Sequence, residues 1–307
     1  MGTIAEAEKP VAVVAQPSRT ALQNKQTQLA WLLMSPTIAV IIFVAAYPLG
    51  RTFYDSFTDA SFGAAATHFI GWTNYYNLIH DTPFWNSVKE TFKFTILTVV
   101  LEFVLGMIIA LVVNSNFRGR GAMRAAMLVP WAIITVVNAQ MWKLMYNDTY
   151  GVFNDFLQKI HVVSSPVAFT VSHPLASVVA IDVWKTTPFV ALLLLAGLQV
   201  IPSDVYEAAN VDGASKWQQY WRITLPLLVP AILVTLIFRT MDALRVFDVF
   251  YVLFGSRPDT ETMAIYDYQN IVPFGLVGYG AAISVAIFII LGIVITIYIR
   301  SFRVEQS

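Results

Sequence analysis

Four charges stand at three-residue intervals in the tract FRTMDALRVFD, Phe238 to Asp248: Arg239, Asp242, Arg245 and Asp248. They close the run LPLLVPAILVTLI, which is as apolar as the interior of a lipid bilayer. An ion at the bilayer centre costs about 2.5 to 3.5 kcal/mol on insertion scales, so such residues face a cavity or pair with one another. Steps of three turn a helix by roughly 300°, so the four charges drift across half its circumference and share no single seam. Two chemistries suit them. Carboxylates accept hydroxyl hydrogens, a guanidinium donates in a planar fork, and Phe238, Phe247, Phe250 or Tyr251 offers a flat ring to a pyranose, which together would handle a polyhydroxyl solute. Alternatively, Arg239 pairs with Asp242 and Arg245 with Asp248 as structural ties. Counting from Leu225, Arg239 lies roughly 21 Å along the helix, beyond the midplane.

Other polar residues interrupt apolar stretches. Asp182 and Lys185 lie three apart ahead of Pro188, with Trp184 between them, and read equally as an internal pair or as pore lining with an aromatic platform. Asn138 and Gln140 read as hydrogen-bond partners between helices. Glu102, alone in an apolar run, is assigned to packing, either protonated or bonded to another span. In GLVGYGAA, the glycines 275, 278 and 280 and Ala281 mark a place where backbones approach closely.

The elements that must hold these residues follow from composition. Of 307 residues 57% are hydrophobic and 12% charged, about half the charged share of an ordinary soluble domain. Net charge is zero, which gives no basic surface for nucleic acid, and the lack of cysteine excludes disulfides, thiolate metal sites and cysteine nucleophiles. Six stretches are long enough to cross about 30 Å of hydrocarbon: Leu29 to Gly50, Thr91 to Val113, Ala125 to Tyr146, Leu175 to Ile201, Leu225 to Asp248, and Gly278 to Arg300. Because lipid cannot hydrogen-bond open backbone, these are expected to be helices, giving an all-α integral membrane fold. Lys9, Arg19, Lys25, Arg118, Arg120, Arg124, Lys216, Arg222, Arg300 and Arg303 fall in alternate connections, whereas the intervening ones hold only Arg51, Lys89, Lys159 and Arg257. The positive-inside rule then predicts six spans with both termini in the cytoplasm. Residues 1–28 read as a cytoplasmic tail, 29–86 as the first span with an external loop, 87–301 as the main membrane domain with a cytoplasmic loop at 202–226, and 302–307 as a second tail. Trp72, Tyr75, Tyr76, Phe84 and Trp85 suit an interfacial aromatic belt.

The segment IPSDVYEAANVDGASKWQQYWRITLPLLVP joins spans four and five. Asp204 and Glu207 are spaced as a capping box opening a short helix, Val205, Ala208 and Ala209 give it a flat apolar side, and Asp212-Gly213 ends it in a turn. A second helical stretch, Ala214 to Arg222, leads to Leu225-Pro226, where proline is acceptable at a helix start. The expected product is a rigid helix-turn-helix on the cytoplasmic surface.

This segment closely resembles the EAA loop of membrane subunits of ATP-binding-cassette (ABC) importers. Glu207, Ala208, Ala209, Asp212, Gly213, Ala214, Ile223, Leu225 and Pro226 meet the family pattern, while Tyr220 stands where Phe is usual. FIGWTNYYNLI, PFWNSVKETFKFT and VWKTTPFVALLLLAGLQVIP extend the resemblance to carbohydrate permeases of the maltose, glycerol-phosphate and trehalose class; VWKTTPF and FRTMDALRVFDVFYVL are most similar to an actinobacterial trehalose permease. The resemblance implies the type I importer permease fold in the cell membrane and a division of labour. An external solute-binding protein delivers sugar, two homologous permeases form the path, and two ATPase copies that bind ATP and Mg drive alternating access. Glu207, Ala208, Ala209, Asp212, Gly213, Ala214, Leu225 and Pro226 would couple to the ATPase; Asp182, Trp184, Lys185, Phe238, Arg239, Asp242, Arg245 and Phe247 are the candidates for the path. The chain has no G-x-x-x-x-G-K-[ST] to cradle phosphates, so it is read as a non-enzyme without its own cofactor or metal. A rival is a proton- or sodium-coupled carrier using Glu102, Asp182 and Asp242, which would have no need of an EAA loop. A membrane enzyme ranks last, since there is no H-E-x-x-H and no nucleophile elbow.

Overall fold

The computed structural model describes residues 19–303; the expected tails fall outside the described residues over 1–18 and 304–307. Two units are distinguished, Met1–Thr52 and Phe53–Ser307. In the first, α1 (Arg19–Ile41) passes through a π-helical segment, Ile42–Ala46, into α2 (Tyr47–Asp55), whose last turn belongs to the second unit. Its apolar surface is uncovered within the unit, Phe43 being 81% exposed, as suits a helix whose solvent is lipid. The apolar stretch runs from Gln23 to Asp55, longer at both ends than the expected Leu29 to Gly50.

The second unit begins with α3 (Thr73–Ile79) and α4 (Thr82–Asn114), followed by α5 (Arg120–Ala132) and α6 (Thr135–Met145). Two short helices, α7 (Val152–Lys159) and α8 (Phe169–Ser172), lead to α9 (Pro174–Leu198). Then come α10 (Ser203–Val211), α11 (Lys216–Gln219), a π segment Tyr220–Thr224, α12 (Leu225–Leu244) and α13 (Asp248–Phe254). The unit ends with α14 (Met263–Ile271) and α15 (Val277–Arg303). Among the described residues the sole β pairing is an isolated bridge between Thr58 and Phe69.

Among the described residues five stretches are long and apolar enough to cross a membrane, six if a bent pair makes one span, and that pair is the expected third span. Instead of one helix from Ala125 to Tyr146, α5 and α6 meet at an 88° bend. Pro130 cannot donate within its helix, and β-branched Ile133 and Ile134 follow in extended backbone, with ψ of 131° and 133°. The expected fifth span also departs from Leu225 to Asp248, running from Lys216 to Phe254.

Helices α4, α9 and α12 pack against one another in a three-way contact that divides the interior into two apolar layers. One gathers Phe94, Trp142, Ile181 and Phe250; the other gathers Met107, Val113, Val190, Leu194, Leu228 and Ile232. Each of the three helices contributes to both layers, and between its two contributions each carries an ionisable residue: Glu102 on α4, Asp182 on α9, Arg239 on α12. The apolar layers thus fix the depth at which the charges meet.

Helix α14 is fastened beside this core by directed bonds. Thr262 caps it by accepting from the Ile265 amide, the Met263 amide donates to Thr91 Oγ1 of α4 at 2.9 Å, and Ser284 Oγ of α15 donates to Asp267 at 2.6 Å. The Asp81 carboxylate accepts from both Tyr266 and Tyr279 hydroxyls. Burial and the neighbouring Asp81 push Glu261 up to about 7. The expected close approach at the start of α15 is present at Gly278: a side chain there would lie 2.1 Å from the Thr58 carbonyl oxygen, so only hydrogen fits.

Candidate functional site

The charged tract from the end of α12 to the start of α13 resolves into one buried hub and three rim residues. Arg239 is 2% exposed. Its Nε–H donates to Glu102 Oε2 at 2.5 Å and its Nη2 to Glu102 Oε1 at 2.9 Å, a two-pronged grip on α4. Nη2 also donates to Asp182 Oδ2 of α9 at 3.0 Å, and Nη1 to Asp242 Oδ2 on the same helix at 2.5 Å. One guanidinium therefore joins the three central helices, and its fork geometry is what a lysine could not reproduce. Glu102 is fully buried behind Arg239, whereas the Asp242 side chain is 76% exposed.

In front of the hub lies a polar cavity of about 150 Å³. Asp182, Lys185, Thr186, Arg239, Asp242, Arg245, Phe247 and Asp248 line it, together with Thr135 beside the α5/α6 bend and Phe94. At about 30 Å³ per water it holds a handful of waters rather than a disaccharide. A sugar could pass only if α6, α9 and α12 separate.

Six of the eight candidate path residues are brought together here: Asp182, Lys185, Arg239, Asp242, Arg245 and Phe247. The other two are not. Trp184 turns aside to pack edge-on against Trp142 at 5.6 Å, and Phe238 is 58% exposed on a different face of α12. The structural pairing expected within α12 is half correct. Arg239 does bind Asp242, but Arg245 and Asp248 form no ion pair with each other among the described residues; both line the cavity. Asp182 likewise bonds Arg239 and not Lys185, because the guanidinium offers the better-buried donor. The helix-to-helix hydrogen bonds expected of Asn138 and Gln140 are absent from the described residues: both amide atoms of buried Asn138 lack a partner, and Gln140 is exposed. Glu102 was the residue undervalued by sequence reasoning. Its signal was the spacing of Thr91, Thr95, Thr98 and Glu102, which places one polar stripe along a single face of α4, all of it buried.

At the other end of α12 the EAA segment forms a compact elbow. Helix α10 starts after Pro202 with no side-chain cap, so Asp204 and Glu207 do not form the expected box; the box stands at α11 instead, between Ser215 and Gln218. The reason is steric sequence order: Pro202 is itself the cap residue, leaving Asp204 inside the first turn. Gly213 closes α10 at φ +76°, a conformation a side chain disfavours. Gln219, buried, donates to Asn210 Oδ1 at 2.7 Å and to the Ala214 carbonyl at 2.9 Å, locking the turn from inside. Tyr206 meets Thr224 at 3.0 Å. The second elbow helix does not end before a new one starts at Leu225-Pro226, as expected; it continues through the π segment into α12. Of the predicted coupling residues, Glu207, Ala208, Asp212, Gly213 and Pro226 are exposed, Ala209 is buried against the elbow, and Ala214 and Leu225 are half-buried. An apolar groove of about 940 Å³ beside them is lined by Met107, Leu111, Tyr206, Trp217 and Tyr220 among others.

A helical bundle crossed by one buried ion cluster, with a rigid elbow at the foot of α12, defines a membrane transport subunit. The chain belongs to the family of binding-protein-dependent transport system inner membrane components, whose model matches residues 102–303. It is 41% identical over 294 residues to the trehalose/maltose transport system permease protein MalF of Thermococcus litoralis, covering 93% of this chain and 97% of that protein. It is 38% identical over 286 residues to the trehalose transport system permease protein SugA of Mycobacterium tuberculosis, covering 93% and 92%. Among solved structures, a chain of a bacterial ABC transporter that imports the acidic polysaccharide alginate shares the fold, with a TM-score of 0.80 over 94% of this chain and all of that one at 22% identity. The chain is a multi-pass permease subunit of an ABC importer, with the type I permease fold.

Proposed function

We propose that this chain forms half of the translocation path of a binding-protein-dependent importer for a sugar, a disaccharide such as trehalose being favoured. The observation that carries the reading is the polar cavity at the Arg239 hub, within a chain that resembles trehalose and trehalose/maltose permeases over more than nine-tenths of its length. Asp182 and Asp242 supply acceptors for sugar hydroxyls, Lys185 and Arg245 supply donors, and Phe247 offers a ring face, already stacked on Tyr251 at 5.2 Å. Path residues of this kind need to bind weakly, because a solute held tightly at mid-membrane would not leave.

Energy enters at the elbow. Glu207, Ala208, Ala209, Asp212, Gly213, Ala214, Leu225 and Pro226 form the handle on which an ATPase subunit closes, with both termini and the elbow in the cytoplasm. The ATPase pair holds ATP and Mg, a second homologous permease completes the path, and an external solute-binding protein delivers the sugar. In this reading residues 87–301 are the working permease domain and 29–86 the first span with its external loop. A self-contained proton- or sodium-coupled carrier is not favoured, since it leaves the elbow without a purpose. The test is uptake of a radiolabelled disaccharide panel by proteoliposomes carrying this chain with its cognate permease, ATPase and binding protein. ATP-dependent trehalose uptake supports the reading; uptake driven by an ion gradient without ATP defeats it.

A further inference from the structure

We infer that Glu102 is a positioning residue for transport, acting through Arg239 without touching the solute. The inference rests on the proposed path, and the observations behind it are geometric. Glu102 is fully buried and absent from the cavity wall, yet it takes two of the four hydrogen bonds the Arg239 guanidinium makes. The other two go to Asp182 and Asp242, which do face the cavity. The hub is thus two-sided. Behind, a bidentate carboxylate fixes the plane of the guanidinium; in front, two single bonds reach carboxylates of unequal exposure, 16% for Asp182 and 76% for Asp242.

That asymmetry assigns roles. A bidentate pair shielded from water is geometrically specific and slow to exchange. A single bond to a carboxylate three-quarters exposed faces competition from any hydroxyl that enters. When a sugar reaches the cavity, its hydroxyls take over the Nη1 donor from Asp242 and are accepted in turn by that carboxylate, while Glu102 keeps the fork aimed. Without Glu102 the guanidinium would swing toward the remaining carboxylates, and the donor presented to the solute would be lost. No covalent step is involved, only an exchange of hydrogen bonds.

The chain lacks cysteine, so a single introduced thiol reports on the cavity cleanly. Glu102→Gln, Glu102→Asp, Asp242→Asn and Arg239→Lys are made in the full importer, measuring the KM and maximal rate of trehalose uptake, and the reaction of Thr186→Cys with a charged thiol reagent. Losing a charge-assisted bidentate grip is expected to raise KM about tenfold in Glu102→Gln and to change the thiol reaction rate. Glu102→Asp, which keeps the charge, brings KM back to within about threefold of wild type. Wild-type KM and thiol rate in Glu102→Gln overturn the inference. A shifted thiol rate in Glu102→Gln alongside an unchanged KM in Asp242→Asn means that the positioning stands and the sugar path reading falls. An altered KM in Asp242→Asn with neither readout moved in Glu102→Gln means the reverse. Should Glu102→Gln fail to assemble, Glu102→Asp decides through the same two readouts. Failure of both Glu102 variants to assemble while Arg239→Lys assembles normally overturns the inference, because Glu102 then acts as structural cement independent of the fork.

Discussion

The hub at Arg239 and the elbow at Gly213 are both rigid, but they achieve it in opposite ways. The hub is built from residues far apart in sequence, Glu102, Asp182 and Arg239, held at one depth by apolar layers above and below. The elbow is built from neighbours: Gln219 reaches back nine residues to Asn210, and Ser215 and Gln218 cap each other. The hub turns its bonds inward and leaves little room beyond a few waters. The elbow spends its bonds on its own turn and leaves Glu207 and Ala208 bare. A buried network is sensitive to the loss of any member, since each leaves a charge unpaired in low dielectric, whereas an exposed motif tolerates loss of contacts but not of shape.

This contrast can be broken or sharpened. The largest effect is expected for Arg239→Leu, which strands Glu102 and Asp182 without a cation; about 3 to 5 kcal/mol of stability should be lost, read as a drop in the thermal unfolding temperature of the purified complex. An unchanged midpoint would mean that the hub carries no weight in the fold. Next is Gly213→Pro. Proline holds φ near −65°, opposite in sign to the observed +76°, and removes the amide that donates to Asn210, costing about 3 kcal/mol or more at the turn. ATPase copurification and uptake should both fail, and Glu207→Lys should lose coupled uptake with the unfolding temperature unaltered; normal transport in both variants would count against the elbow as a handle. Smaller is Gln219→Ala, which removes the bonds to Asn210 and Ala214 at about 1 kcal/mol each, together with the one accepted from Lys216, and should speed amide exchange in α10 more than in α12. Equal protection in variant and parent would show that the turn is held by other means.

A further expectation is a pH slope. Glu261 is raised from 4.5 to about 7 by burial and by Asp81, so the folded chain binds the proton more tightly than the unfolded one. Its contribution is fully present below about pH 4.5 and is lost as the pH rises through about 7. Glu261→Gln should flatten that part of the stability profile, as measured by unfolding across pH 4 to 8. A slope of the same size in the variant would assign it to another group.

Sequence legibility divides along the same line. The elbow could be read from a single segment, because Glu-Ala-Ala, Asp-Gly-Ala and Leu-Pro are local signals whose consequences stay local. Even there the cap was misplaced from Ser215 to Asp204, since spacing alone did not reveal that Pro202 occupies the cap position. The spans were legible from hydropathy, except that Pro130 and the isoleucines after it put a sharp bend into the third. The charged stripe on α12 announced a polar interior, yet its partners could not be named: Glu102 lies 137 residues from Arg239, and only the packing of three helices brings them together. Phe238 and Trp184 were over-credited because an aromatic beside a charge in sequence need not share its face.

The π segment Tyr220–Thr224 has a mechanical consequence. From Lys216 to Leu244 the helical turns are uninterrupted, a span of about 42 Å. Pro230 takes one internal hydrogen bond out of this shaft, so it can bend there as well as tilt. On the proposed coupling, a push beside Trp217 would reach the guanidinium fork along this one helix, with the wider winding at residues 220–224 as a pivot.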